Sequence, residues 1–365
     1  MNIAYACRSP WEWVFKKALE DSYDGVEVYQ SLRLLKSAFD IDGGIRRRGG
    51  PSTFSFIIHD DDGKAIYAGD SDVFESLEDK DEFVTCVNEA VATQFIAHST
   101  LIDFDFHCHE TKAASFELPS VPAVLKTPLG SCGDGVYFVW NVSEVIEKIK
   151  DNYERAIGEK DFIESIQKTK GRIPRWVIQK EVKSRSLDGC KFHLRTYVLA
   201  VEGREGLDIF VYVREHEVRV ASEKMEKGEG RERGAHITNG ASGGGTRRLL
   251  LRNVEELRSL KGELEGFVVS FFEKMQKGSN LMARKLVGDG GVHFVLAGVD
   301  IMVDVDGTMT VLEVNAYPAA PSEADLGESD EGKEFGHHLV GLGWSLCDFL
   351  KKQSWKGNET DWRKI

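Results

Sequence analysis

Three oxygen-bearing side chains in the last quarter of the chain, Asp300, Glu313 and Asn315, have the types and spacing to hold a hard divalent cation. The stretch Gly298-Val299-Asp300-Ile301-Met302-Val303-Asp304 reads as a strand, Leu312-Glu313-Val314-Asn315 as a second, and Asp304-Val305-Asp306-Gly307 as the turn between them. Alternation along a strand puts Glu313 and Asn315 on one face, and a hairpin brings Asp300 alongside them. Two carboxylates and an amide oxygen suit Mg²⁺, which takes one or two protein carboxylates and keeps other positions for water and nucleotide phosphates. Taken alone, the same residues also read as an ordinary polar-faced hairpin.

Cations that would face such a metal lie upstream. Val124-Leu125-Lys126 leads into a glycine-rich turn, Gly130-Ser131-Cys132-Gly133-Asp134-Gly135, whose backbone N–H groups can cradle an anion while Lys126 supplies a point charge. It is not a Walker loop, because no Gly-Lys-Ser/Thr occurs. Trp176-Val177-Ile178-Gln179-Lys180-Glu181-Val182 is an apolar strand that turns polar, an end that can present backbone donors and acceptors to a purine edge. Lys191, His193 and Arg195 alternate with Phe192 and Leu194, so three basic or titratable groups share one strand face, as an anion site requires. Arg219 adds a cation on a neighbouring hairpin, and His236-Ile237-Thr238-Asn239 adds a compact set of hydrogen-bonding groups.

The elements that must position these residues can be read from periodicity. Strands are expected at 2–7 and 26–29 around a helix at 11–20, then a hairpin within 53–68 and a helix over 78–97. Further strands are expected near 121–126, 135–140, 175–182, 193–201, 208–214 and 217–221, with helices at 143–154, 253–277 and 332–352. Asp103, Asp105, His107 and His109 alternate with apolar neighbours and would expose four metal-ligand types if the segment were one strand, although a half-buried strand is the plainer reading. Lys224 to Thr246, rich in glycine, reads as a mobile loop.

In its order and spacing, the series Lys126…Gly133-Asp134-Gly135, Gln179-Lys180, Asp188-Gly189-Cys190-Lys191-Phe192-His193-Leu194-Arg195, Arg214-Glu215-His216-Glu217-Val218-Arg219, His236-Ile237-Thr238-Asn239, Asp300 and Glu313-Val314-Asn315 resembles the tubulin–tyrosine ligase family. The resemblance covers roughly residues 120–320. It implies an α/β (α+β) ATP-grasp fold, in which two antiparallel-sheet subdomains clamp ATP behind a small α/β N-terminal domain. The implied division is a lead-in at 1–115, a central subdomain at 116–200, a C-terminal subdomain with the Mg-ATP site at 201–355, and a tail at 356–365. It also implies ATP-dependent amide-bond formation through an acyl phosphate. On the family's pattern Lys126 and Lys191 hold ATP phosphates with Gly133 and Gly135, and Gln179, Lys180 and the Val182 backbone frame adenine. Asp300, Glu313 and Asn315 bind Mg²⁺, Arg195 and Arg219 neutralise the acceptor carboxylate and acyl phosphate, and Thr238 and Asn239 line the acceptor side. Three departures stand out: His193 where the family has Asp, Cys132 where it has a second basic residue, and His216 where it has glycine. The His193 position puts contacts to ribose or substrate in question.

Composition narrows the partners. The 365 residues carry 47 Lys plus Arg against 60 Asp plus Glu, a formal charge of −13, which argues against a general nucleic-acid binder. No run of about 18 apolar residues is present, so no membrane span is expected, and the N-terminus reads as a strand rather than a signal peptide. The six scattered cysteines (Cys7, Cys86, Cys108, Cys132, Cys190, Cys347) suit reduced thiols in a cytoplasmic monomer. Acidic tubulin tails would be repelled at long range by this charge. Local patches at Arg46 to Arg48 and at Arg231, Arg233, Arg247 and Arg248 can offset that, because screening limits distant charges to ~8–10 Å. The partners that the resemblance implies are an amino acid and a protein or peptide carboxylate acceptor, tubulin among them. The alternatives are a non-tubulin peptide or small-molecule substrate, or a nucleotide-binding pseudoenzyme. The intact Asp300, Glu313, Asn315, Arg195 and Arg219 oppose the last of these.

Overall fold

The computed structural model describes residues 2–7, 11–20, 25–29, 54–59, 65–70, 75–105, 110–111, 116–128, 135–156, 175–202, 207–224, 246–278, 292–316, 318–352 and 361–365. The chain opens with β1 (Asn2–Cys7), α1 (Glu12–Glu20), β2 (Gly25–Tyr29), β3 (Phe54–His59) and β4 (Ala65–Asp70). Then come α2 (Glu75–Glu78), α3 (Lys80–Glu89), β5 (Ser99–Ile102), β6 (Phe104–Asp105) and β7 (Glu110–Thr111). The middle holds β8 (Ala123–Lys126), β9 (Val136–Val139), α4 (Val142–Ala156), β10 (Trp176–Lys180) and β11 (Ser186–Leu187). Next are β12 (Cys190–Glu202), β13 (Leu207–Tyr212), β14 (Glu217–Lys224), β15 (Arg247–Leu250) and α5 (Lys261–Gly278). The last elements are β16 (Val292–Val303), β17 (Met309–Asn315), α6 (Glu323–Leu326), α7 (Asp330–Lys352) and β18 (Trp362–Lys364).

These form a mixed α/β structure with a twelve-stranded sheet and a four-stranded one. Two long strands, β12 and β16, lie antiparallel at the centre of the large sheet and each serves different neighbours along its length. The Cys190–Arg195 half of β12 pairs with β14 and its Val198–Glu202 half with β13. Similarly, β16 pairs with β17 over Gly298–Val303 and, in parallel, with β4 over Val292–Phe294. The small sheet, ordered β5-β10-β8-β9, is antiparallel throughout.

Alternation on β12 explains how the layers stack. Phe192, Leu194, Val198 and Ala200 point to one face, where Leu264, Val268, Phe271 and Phe272 of α5 cover them. Tyr197, Leu199 and Val201 point to the other, beneath Trp11, Phe15 and Leu19 of the α1 region and Phe335, Leu339 and Leu342 of α7. Lys191, His193 and Arg195 continue this second face, so it is apolar where the helices lie and charged beyond them. The small sheet buries Leu125, Trp176 and Ile178 against Val145 and Ile149 of α4, which leaves its other face for Lys126, Val177 and Gln179.

Three sequence expectations are corrected. The helix at 78–97 is divided: Asp79, extended at φ −71° and ψ 120°, separates α2 from α3, and a 3₁₀ turn occupies Thr93–Phe95. Ahead of Lys261 there is no α-helix but two short 3₁₀ turns, Leu251–Asn253 and Arg258–Leu260, separated by an extended Val254 and a turn, with Leu251, Val254, Leu257 and Leu260 all buried. Asp103 is exposed and falls between β5 and β6, and β6 spans only Phe104–Asp105, so the alternation does not make one strand. His107 and His109 lie outside the described residues, as does most of the Lys224 to Thr246 loop.

Helix α1 reaches across the sequence to the segment after β17. Trp11 Nε1 donates to the Pro318 carbonyl at 2.6 Å, Trp13 Nε1 to that of Pro321 at 3.0 Å, and Lys17 pairs with Glu323. Trp11 is fully buried and meets Tyr197 edge-on at 6.3 Å between ring centroids. Trp11→Ala is expected to lower unfolding free energy by about 3–5 kcal/mol, the usual cost of an emptied aromatic core site, as read from urea unfolding.

Candidate nucleotide and metal site

The hairpin of β16 and β17 brings the three oxygen-bearing residues together as the sequence suggests. Asp300 faces Glu313 and Gly298 faces Asn315 in register. Asn315 Nδ2 lies 3.2 Å from Asp300 Oδ2 and 3.3 Å from Glu313 Oε1. The turn is secured by Asp304 Oδ1, which accepts from the N–H groups of Asp306 at 2.9 Å and Thr308 at 2.8 Å. A bulge follows Asp300, because Ile301 pairs with Val311 rather than Leu312. The extra residue re-aims the strand, and the consecutive Leu312 and Glu313 both line one cleft.

That cleft lies where the two sheets meet. Its lining includes Lys126 of β8, Val177 and Gln179 of β10, Lys80 and Phe83 of α3, and Glu313 of β17. Burial pulls the Lys126 ammonium down to about 8, with Glu313 opposing that and nearby Lys80 adding to it. Gln179 Nε2 donates to Ser99 Oγ at 2.9 Å. Lys180 is exposed, on the opposite side of β10 from Gln179, and its backbone N–H donates to His98 O at 2.8 Å. Val182 is half-buried in the segment leading toward β11. Gly135 sits at φ +72°, where a β-carbon would strike Thr127, so the turn after β8 depends on glycine there. Gly133, Thr238 and Asn239 lie outside the described residues, as does Cys132.

On the large sheet, charged residues form rows across adjacent strands. Glu217 on β14, Arg195 on β12, Asp300 on β16 and Glu313 on β17 are successive cross-strand neighbours. One row over, Arg248 on β15 faces Arg219 on β14, which faces His193 on β12. Arg195 grips Asp300 with two bonds of 2.6 Å, from Nε to Oδ1 and from Nη2 to Oδ2. His193 Nε2 lies 3.4 Å from Asp300 Oδ1. Burial works against ionising Asp300, but Arg195 and His193 hold its carboxyl well below the usual carboxylate range. Gly298 makes room for this pair: a β-carbon there would meet the Arg195 Cδ and Nε at 3.2 Å and Pro318 at 3.0 Å.

Arg219 is engaged likewise, through Nε at 3.0 Å and Nη2 at 2.8 Å to Glu217 Oε2. Tyr197 donates to Glu217 Oε1 at 2.5 Å. Burial would raise the Glu217 carboxyl, yet Arg219 and Arg195 bring it to about 2. Lys191 bridges the sheets, 3.1 Å from Glu181 and over the Phe138 ring. The structure therefore assembles Asp300, Glu313, Asn315, His193 and Arg195, sets Arg219 beside them through Glu217, and brings Lys126 and Gln179 to Glu313 across the cleft. Sequence reasoning did not single out Glu217 or Lys80. Lys80 sits in an amphipathic helix with no motif, and Glu217 looks like ordinary hairpin charge until Arg219 and Tyr197 close on it.

The donor set fits a hard divalent cation. Each Asp300 oxygen keeps lone-pair capacity beyond its arginine bond, Glu313 is only half-buried, and the Asn315 amide can turn its oxygen to the same point. A small antiparallel sheet set against a large one, with a cleft between carrying a lysine, a glutamine and a carboxylate, is the ATP-grasp architecture. Residues 80–243 match the model of the tubulin-tyrosine ligase family. No individually curated protein matches the chain. No helix among the described residues is long and apolar enough to cross a membrane.

Glu217 gives an acid-side signature. Its carboxyl takes up a proton near 4.5 when the chain is unfolded but only near 2 in the fold. The stability it contributes is complete above pH ~5 and is lost as pH falls toward 2, roughly 3 kcal/mol in all. Burial likewise pulls His338 down to about 4, so stability also falls as pH drops from the ordinary imidazole range through that value. Urea unfolding between pH 7 and pH 3 should show both losses, and Glu217→Gln should flatten the lower one while reducing stability at pH 7.

Proposed function

We propose that this chain is an ATP-dependent carboxylate–amine ligase that joins an amino acid to a protein or peptide. Members of the tubulin-tyrosine ligase family are in general ligases of this kind, and the chain carries their match over residues 80–243. The observation that supports the reading most is the convergence of Lys126 and Gln179 from one sheet with Glu313 from the other at one cleft. We take the small sheet and the large sheet as the two lobes that hold nucleotide.

In this reading the substrate carboxylate attacks the γ-phosphorus of ATP, the β–γ bridging P–O bond breaks, and ADP leaves. The amine then attacks the acyl carbon, the C–O bond to phosphate breaks, and nitrogen loses a proton. Such transfers depend mainly on positioning and charge stabilisation. Lys126 and Lys191, with Gly133 and Gly135, hold phosphate oxygens. Gln179, Lys180 and the Val182 backbone lie toward the base. Asp300, Glu313 and Asn315 hold Mg²⁺, which neutralises charge on the phosphates when bound. Arg195 fixes Asp300 with two of its five N–H groups and offers the rest to the acceptor side, as Arg219 does beyond Glu217. His193 packs against the same carboxylate, and the family's pattern assigns Thr238 and Asn239 to the acceptor side.

Tubulin is the leading acceptor by family. A second reading, a non-tubulin peptide or a small molecule, is favoured by the formal charge of −13. Incubating the protein with Mg-ATP, isotope-labelled amino acids and either tubulin or a cell extract should release ADP and phosphate and add mass to the acceptor. Glu313→Gln should abolish both; ADP release indifferent to that change would sink the metal role. Mass gained by a small metabolite and not by tubulin would favour the second reading. Nucleotide phosphate should also recharge Lys126, so calorimetry near pH 8 in buffers of differing ionisation enthalpy should show proton uptake on ATP binding, absent in Lys126→Met.

A further inference from the structure

The two arginines that family resemblance assigns to the acceptor each commit two N–H groups to an internal carboxylate, Arg195 to Asp300 and Arg219 to Glu217. A third guanidinium stands next to them. Arg248 on β15 faces Arg219 in register, and its Nη1 is buried with no hydrogen-bond partner among the described residues. The side chain as a whole is half-buried, so it can still be approached from solvent. Burial lowers its proton affinity first and Arg219 lowers it further, with Glu217 giving part of this back. Among these central groups, three guanidiniums (Arg195, Arg219, Arg248) stand against two fully buried carboxylates (Asp300, Glu217). A buried N–H without a partner is costly and uncommon, and its natural complement is an oxyanion held by the planar fork.

The position decides which oxyanion. Arg248 lies four strands from β17, roughly 19 Å at ordinary strand spacing, whereas the ligase reading puts nucleotide phosphates at Lys126 and Glu313 on the β17 side. We propose that Arg248 binds a carboxylate of the substrate other than the one that reacts, and so selects acidic substrates. This rests on the ligase reading above. The carboxylate belongs either to a free dicarboxylic amino acid or to a neighbouring acidic residue of an extended peptide acceptor.

The test is calorimetric binding to the full chain, using L-glutamate against L-glutamine and a capped tetrapeptide of glutamates against its glutamine counterpart. The wild type should bind one or both glutamate probes on the order of tenfold more tightly than the glutamine partner, as a charge-assisted pair requires. Arg248→Leu should erase that preference and Arg248→Lys should keep part of it. A preference in the first arm assigns the carboxylate to the free amino acid, and one in the second assigns it to the acceptor. Because Nη1 has no partner to lose, Arg248→Leu should melt no lower than wild type, which separates binding from folding. Equal binding of acid and amide probes by the wild type, or a preference that survives Arg248→Leu, overturns the proposal. ADP release is scored separately: its absence with every acid counts against the ligase reading, while the binding comparison still decides the role of Arg248.

Discussion

The bidentate pair between Arg195 and Asp300 is the constraint on which the rest of the site depends. It joins the two longest strands, β12 and β16, at a point from which helices and water are both excluded. Breaking one partner of a buried pair leaves the other as an uncompensated charge, which costs far more than the pair itself contributes. The neighbours reflect this. Glycine at 298 leaves room for the arginine stem, His193 packs on the far oxygen, and Glu217 lies one strand away to balance the arginines. Asp300 is thereby ionised and held in one orientation before any cation arrives. If it holds the cation proposed above, it does so with little reorganisation.

Much of this was legible in the sequence because β-strands make it so. Period-two alternation sorts Lys191, His193 and Arg195 from Phe192 and Leu194 without knowledge of the fold. The Asp304 to Gly307 turn fixes how Glu313 and Asn315 return to Asp300. The sequence does not reveal which strand lies beside which. Glu217 and Arg248 acquire meaning only when β14 and β15 are placed next to β12, and those pairings join residues far apart in the chain. Lys80 is a similar case, since its proximity to Lys126 arises from the packing of α3 against the small sheet.

Helical readings failed where the period was misjudged. Leu251, Val254, Leu257 and Leu260 repeat every three residues, a spacing that an α-helical template accepts in part, but two short 3₁₀ turns flank an extended Val254 here. The bulge at Leu312 was equally invisible, although it is what allows two consecutive residues to face the cleft. Departures from regular geometry of this kind are set by tertiary packing, not by local preference.

The latch from α1 to the segment after β17 bears on how the protein is made. Trp11 finds its acceptor at Pro318, 307 residues further along the chain, and its apolar neighbours on α7 come later still. Synthesis runs from the N-terminal side, so a fully buried tryptophan and its helix must wait for these partners until α7 has been made. Helix α1 thus completes its packing only after α7 has been made, and its apolar face stays uncovered until then.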